Sequence, residues 1–477
     1  MDELNFSPRM VVLDEVQVER LHWATLEILE RVGVRITQPK GLELLSSVGC
    51  KVIGHSVHFP SWVVENAIRQ APRRVTLGNR QNKRVISLDD RRSYFGPTLD
   101  CINYLDPENG SRSPCSSEHT KTMARLCEKL DNYSWNMTLG MAADYPPHMG
   151  DKVAGRIAME HCSKPTICCC SDVASLKELY EMALLCQGGA DEFELNPYLF
   201  HLAGAVPPLT YDDQLVEKII FSAEKRIPLA NFAGVSAAGT APCTLAGTIA
   251  QASAESLSGL VLVQAANPGS PFIYGALPTI MDMRSTVFSY GAIEMALMGG
   301  ALAQLALRYK LPVFSTSGCS DSQVVDIQAA LEGGIQDLVS AAIGEGLVHD
   351  VHCWLDHGSA LSPAYLVLGQ EILSLIKKFM EGVPVSDESL AIDVIEKVGH
   401  GGNFLREKHT MKHFKEMLYP ALFERVSNDN WLSRGAPSFE ERLRERTLKL
   451  IASEDANPLD PKIAKEFDHR QKSWEKW

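Results

Sequence analysis

The chain lacks any apolar stretch long enough to cross a membrane. Its longest apolar windows, such as Leu257 to Ala266, fall far short of the roughly 20 residues a spanning helix needs. It also lacks a basic block, and a formal net charge of -13 removes the electrostatic footprint of a nucleic-acid binder. Twelve cysteines in 477 residues are too sparse for a disulfide scaffold. The Cys168-Cys169-Cys170 run reads as strand interior, where a thiol behaves as a small hydrophobe. Met1 to Ile36 carries charges throughout and shows no signal-peptide core. No GxGxxG turn follows an early strand, which argues against a dinucleotide fold. These absences leave a cytoplasmic, reduced-thiol, globular chain with neither membrane nor nucleic acid as partner.

What is present is one pattern repeated: a short apolar run, a Gly/Ser/Pro-rich turn, then a helix-period segment. The runs are Trp135 to Met141, Pro165 to Cys170, Tyr198 to Ala203, Pro228 to Ala233, Pro271 to Gly275, Pro312 to Thr316 and Leu347 to Val351. Several open on proline just after a helical segment, where a helix must already have stopped and a strand tolerates it. Strands alternating with helices define βαβ units and a parallel sheet. Seven such units come close to the eight of an α/β TIM (β/α)8 barrel, which is favoured over a doubly wound open sheet. Residues 1–130 read as an N-terminal cap or flank of helices and hairpins, with Asn109-Gly110 as a hairpin turn. Residues 131–437 read as the barrel, and 438–477 as a charged C-terminal helical extension.

In such a barrel the chemistry lies on the loops after the strand C-termini. Three of these concentrate unusual residues: Ala276 to Ser285, Ser315 to Asp321 and His349 to Gly358. The last carries three His, one Cys and two Asp, and so raises a metal. Against it, His352 and Cys353 are adjacent and would point to opposite faces of a strand; no metal is assigned. Glu255 is the one acid in a long small-residue helical stretch, and a carboxylate there is costly unless paired or used. Tyr94, Phe95, Phe232, Tyr274 and Trp354 fall at strand ends or in the cap hairpin. Single aromatics are most often core, but a few converging at a barrel mouth would hold a quaternary ammonium by cation–π contacts.

Several stretches together resemble the trimethylamine methyltransferase family of corrinoid-dependent enzymes. They are Ala254-Glu255-Ser256-Leu257-Ser258-Gly259, Asn267-Pro268-Gly269-Ser270-Pro271, Met281-Asp282-Met283-Arg284-Ser285, Ser320-Asp321-Ser322, Asp326 to Glu332, and His349-Asp350. The resemblance implies a barrel that moves a methyl group from an amine to the cobalt of a corrinoid. The founding enzymes carry pyrrolysine at a strand end. Here only the standard residues occur, and the matching stretch near Gly318-Cys319-Ser320 is small, so the chain resembles the non-pyrrolysine branch that acts on glycine betaine and related quaternary amines.

From this follow the expected roles. Glu255, Asp321 and His349 are the candidate catalytic residues. Tyr94, Phe95, Phe232, Tyr274 and Trp354 are the candidate cage, with Arg284 and His349 as donors to the substrate carboxylate. Ser317, Gly318, Cys319 and Gln323 border the corrinoid approach. The sequence has no DxHxxG cobalt-binding motif, so the corrinoid is expected on a cognate partner protein or free, and the enzyme as a homo-oligomer. The competing readings are trimethylamine or another quaternary amine as substrate, a betaine-binding protein without catalysis, and a zinc-dependent thiol or alcohol methyltransferase.

Overall fold

A computed structural model describes residues 6–88 and 91–474. Its centre is a closed parallel barrel. The regular strands are β1 (Ser93–Phe95), β2 (Thr166–Cys168), β3 (Leu199–Ala203), β4 (Leu229–Ala237), β5 (Phe272–Asp282), β6 (Val287–Ser289), β7 (Val313–Thr316) and β8 (Gly346–His349). Seven of them run parallel in the order β1-β8-β7-β5-β4-β3-β2, while β6 folds back antiparallel on β5 as a hairpin. The eighth stave is residues 134–137. Ser134 N–H donates to Phe95 O (2.7 Å), Asn136 N–H to Pro165 O (2.7 Å) and Ile167 N–H to Asn136 O (2.9 Å), which closes the ring between β1 and β2.

All seven apolar runs become staves. The remaining stave, β1, comes from the segment expected to be cap, so the barrel begins before residue 130. It also ends early: its last helix is Pro363–Met380, and a string of short, exposed helices fills the stretch up to residue 437. The C-terminal extension does form two helices, Phe439–Ala452 and Pro461–Trp474, which pack on the outside.

The barrel interior is filled by Trp135, Ile167, Phe200, Leu202, Ile273, Phe314 and Leu347, and the hairpin of Val75–Gly78 and Arg84–Leu88 plugs its lower end. Helix Leu245–Ala266 is buried on all sides from Thr248 to Gln264. It lies between β4 and β5 on one face and the N-terminal helices, including Glu15–Arg31, on the other. That double burial explains its run of small and apolar residues, since a helix apolar all round must be enclosed. The N-terminal region thus clads a flank of the barrel. The mouth is covered instead by a small sheet that joins Trp354–Leu355 and Ala360–Leu361 to the Asn103–Leu105 and Arg112–Pro114 hairpin.

Candidate active site

His349 is the last residue of β8 and is fully buried. Its ring stacks on Phe314 of β7, with centroids 4.7 Å apart and planes 18° apart. It meets Phe232 edge-on at 4.9 Å and Trp354 at 6.5 Å, and Trp354 in turn meets Tyr290 edge-on at 4.9 Å. Five rings from five segments of the chain therefore converge where the strands end. His349 Nδ1 lies 2.7 Å from Asp350 Oδ2, but the approach is too poorly aligned to be a directed hydrogen bond. Asp350 is held by the hydroxyls of Thr98 (2.7 Å) and Thr316 (3.0 Å), and it adopts a left-handed backbone, φ 69°. Both ring nitrogens of His349 and Trp354 Nε1 are buried with no hydrogen-bond partner. A buried polar atom left without a partner costs about 1–3 kcal/mol, so a cluster of them marks a place where a ligand completes the bonding.

Asp321 fixes this arrangement from behind. Its carboxylate accepts hydrogen bonds from Ser289 Oγ, Tyr290 N (2.9 Å) and Gly291 N (3.1 Å), and lies 3.1 Å from His357 Nδ1. It thereby ties the end of the β5–β6 hairpin to the loops after β7 and β8. Burial, then the carboxylate of Asp350, pushes the Tyr290 phenol well above its ordinary range, so it stays a neutral donor.

Asp100 stands in the loop after β1, with φ 52°. Its side chain is exposed. The nearby Asp151 carboxylate disfavours its ionisation and Thr138 favours it. Neither Asp100 nor Tyr290 stands out in the sequence. Asp100 sits inside an apparent cap hairpin, and Tyr290 in a turn that no strand pattern marks.

Other expected residues lie elsewhere. Phe95 points outward into the helix layer, as does Tyr274, whose ring packs 5.6 Å from Tyr309. Tyr94 pairs with Leu347, two residues below His349, and its hydroxyl reaches toward Ser87 of the lower plug. Arg284 is exposed at the tip of the β5–β6 hairpin, so it is not placed to hold a substrate inside the mouth. Glu255 is in the helix layer, accepting from Leu209 N (2.9 Å) and Gln251 Nε2 (3.0 Å). No cation pairs with it among the described residues, its Oε2 has no partner, and burial pushes its pKa up to about 7.

Beyond β7, Ser317 Oγ donates to Asp337 Oδ1 (2.6 Å), whose other oxygen lies 2.7 Å from His352 Nε2. The order Ser–Asp–His puts the acid in the middle, so the imidazole does not touch the hydroxyl and the trio is not the Ser–His–Asp order of an activated nucleophile. Gly318 has φ 72°, and a Cβ there would meet Val351 Cα at 2.7 Å and His352 N at 2.8 Å. A side chain at 318 would therefore drive into the wall behind the mouth. Cys319 is buried, with its thiol 3.8 Å from Thr316 Oγ1, and burial raises its pKa well above the usual value. Gln323 is exposed and donates to Asp321 O. Among the described residues no three His, Cys, Asp or Glu converge as a metal-binding group, and no helix is long and apolar enough to cross a membrane.

A groove of about 850 Å³ between helices Glu15–Arg31 and Leu245–Ala266 lies on the flank, away from the strand ends.

A parallel barrel with ring-lined, unsatisfied donors at its strand ends belongs to the class of barrel enzymes that bind small organic substrates at the mouth. The chain matches the trimethylamine methyltransferase (MTTB) family model over residues 3–473, and it belongs to that family of methyltransferases. It is 32% identical over 463 residues to the glycine betaine methyltransferase of Desulfitobacterium hafniense (strain Y51), covering 96% of this chain and 95% of that one. It is 29% identical over 446 residues to the trimethylamine methyltransferase of D. hafniense (strain DSM 10664 / DCB-2), covering 93% and 90%. The crystal structure of the Methanosarcina barkeri monomethylamine methyltransferase matches the fold with a TM-score of 0.50 at 11% identity, over 94% of this chain and 95% of that one.

Proposed function

We propose that the chain removes a methyl group from a quaternary amine, glycine betaine first among them, and releases dimethylglycine. The methyl acceptor is a second substrate, the Co(I) of a corrinoid carried by a separate protein or free, which supplies the nucleophile. The observation that carries this reading is the ring cluster of Phe232, Tyr290, His349 and Trp354 with its buried N–H groups that lack partners. Aromatic faces suit a trimethylammonium group, which has no N–H to donate. Ring N–H donors suit the carboxylate at the other end of a betaine. Arg284 stands outside the mouth, so His349 and Trp354 take the role of carboxylate donors.

A quaternary amine departs as a neutral tertiary amine, so the leaving group needs no proton at the moment of transfer. What remains is positioning: holding the methyl carbon in line between nitrogen and nucleophile. Positive charge on nitrogen disappears along the way, so rings that hold the cation loosely favour the transition state over a carboxylate that would hold it tightly. The stretch from Ser315 to Ser320 is compatible with this, because no long side chain is needed to activate the substrate. A rim of exposed apolar residues follows the strand ends, among them Ile102, Met141, Val206, Met283, Phe288 and Ile327, and suits the approach of a corrinoid-bearing partner. Support also comes from the likeness to the glycine betaine methyltransferase.

The test is methyl transfer to cob(I)alamin from a panel of glycine betaine, proline betaine, carnitine, butyrobetaine and trimethylamine. Transfer from a quaternary amine is expected; transfer from trimethylamine alone would overturn the assignment.

A further inference from the structure

The lower end of the barrel, opposite the mouth, carries a pocket of about 330 Å³. It opens where β7 starts at Val313 and β8 at Gly346, beside the last turns of helices Ile293–Tyr309 and Ile327–Ile343. Four cations line it: Arg73 and Arg74 just before the plug hairpin, Arg91 just before β1, and Lys310 at the end of the first helix. No acidic side chain lines it among the described residues. Leu88, Leu307 and Pro312 supply an apolar lining. The local backbone brings these groups together. Lys310 caps its helix with a left-handed backbone, φ 57°, where glycine is the usual residue. Gly344 ends the other helix, and a Cβ there would clash with the carbonyl of Arg91, so glycine lets Arg91 lie against that helix end. Arg9 Nη1 donates to the same carbonyl (2.6 Å), which adds a fifth cation at the rim, and Arg74 Nε donates to Ser87 Oγ (2.9 Å).

Helix C-termini carry partial negative charge, so a single cation at each would be ordinary. Two helix ends amount to about one negative charge. Arg9, Arg73, Arg74, Arg91, Arg92 and Lys310 bring far more positive charge than that to this end of the barrel. Asp89 and Asp90 lie outside the described residues, and their two charges still leave the cations in excess. Among the described residues no carboxylate lies within ion-pair distance of Arg73, Arg91 or Lys310. Cations gathered in this way repel one another, and a chain with a net charge of -13 has carboxylates to spare for pairing them. Their convergence without such partners suits an anion from solution. Guanidinium forks match phosphate oxygens in pairs, and a lysine adds a point charge. The apolar lining leaves room for an organic body, and the volume is that of a small-molecule site. We propose that this pocket binds a small anion with two or more phosphate groups, at a site separate from the mouth.

The experiment is isothermal titration of the full chain with inorganic pyrophosphate, at fixed ionic strength and without divalent cations. The wild type is expected to bind one equivalent with a Kd below about 1 mM, and excess glycine betaine should not displace it. An Arg73→Glu/Lys310→Glu variant, changed at two exposed positions, should bind at least about 10-fold more weakly with an unchanged far-UV circular dichroism spectrum. If that variant fails to fold, Arg73→Gln and Lys310→Gln decide singly, each weakening binding at least about 3-fold. The proposal is overturned by the absence of saturable binding up to about 1 mM pyrophosphate. Folded variants that bind as tightly as the wild type, equal binding of sulfate, or displacement by glycine betaine would overturn it as well.

Discussion

The imidazole of His349 lies nearly parallel to the ring of Phe314, centroids 4.7 Å apart, and this stack holds a histidine at the barrel mouth with Nδ1 2.7 Å from Asp350 Oδ2 and Nε2 without a partner. A histidine kept in that state has Nε2 in reserve for a ligand. His349→Ala should lower kcat/KM for the betaine at least 30-fold, about 2 kcal/mol, the cost of losing a hydrogen bond to a charged group. His349→Ala with normal demethylation would remove it as the carboxylate donor.

Tyr290 and Asp321 make a separable pair. Tyr290→Leu should raise KM about 10-fold, while Tyr290→Phe, which keeps the ring face, should stay near wild type. Asp321→Asn leaves donors at Ser289, Tyr290, Gly291 and His357 facing a poorer acceptor. It should reproduce part of the Tyr290→Leu effect on KM with little change in circular dichroism. An Asp321→Asn enzyme with unaltered KM would sever the link between the two residues.

The buried Glu255 makes stability depend on pH. Its pKa rises from 4.5 to about 7 on folding, so the native state binds the proton more tightly than the unfolded chain. Its contribution is therefore complete below about pH 4.5 and is lost as pH climbs through 7. Between pH 5.5 and 8 the wild type should lose up to about 2 kcal/mol more than Glu255→Gln does. Urea unfolding of both proteins at the two pH values measures that difference. Parallel pH dependence would show that Glu255 titrates normally.

The wall behind the mouth admits no side chain at 318. Gly318→Ala should cost about 2 kcal/mol in unfolding free energy, from the left-handed backbone and the close approach of Val351 and His352. An unaltered midpoint in thermal or urea unfolding would contradict the geometry.

The barrel was legible because each of seven strands is announced by proline or an apolar run after a helix. β1 was hidden: it has three residues, no preceding helix, and follows the charged stretch Asp89 to Arg92. The site was half legible. His349, Phe232, Trp354 and Asp321 follow from position at strand ends, but the facing of a strand residue is fixed by register. Tyr274 and Phe95 thus look equivalent to Phe232 in sequence, yet turn to the helices. Arg284 looks in sequence like a mouth-loop residue because the apolar run ends at Gly275. The strand instead continues to Asp282 and carries the arginine past the mouth. Tyr290 and Asp100 depend on loop closure, which no periodicity records.

The most direct measurement follows the absorbance of cob(I)alamin in the presence of the purified chain and each amine in turn. Conversion to methylcobalamin with glycine betaine or another quaternary amine, and its loss in His349→Ala, is the expected result. Conversion with trimethylamine alone, or betaine binding with no conversion under any condition, would contradict the account.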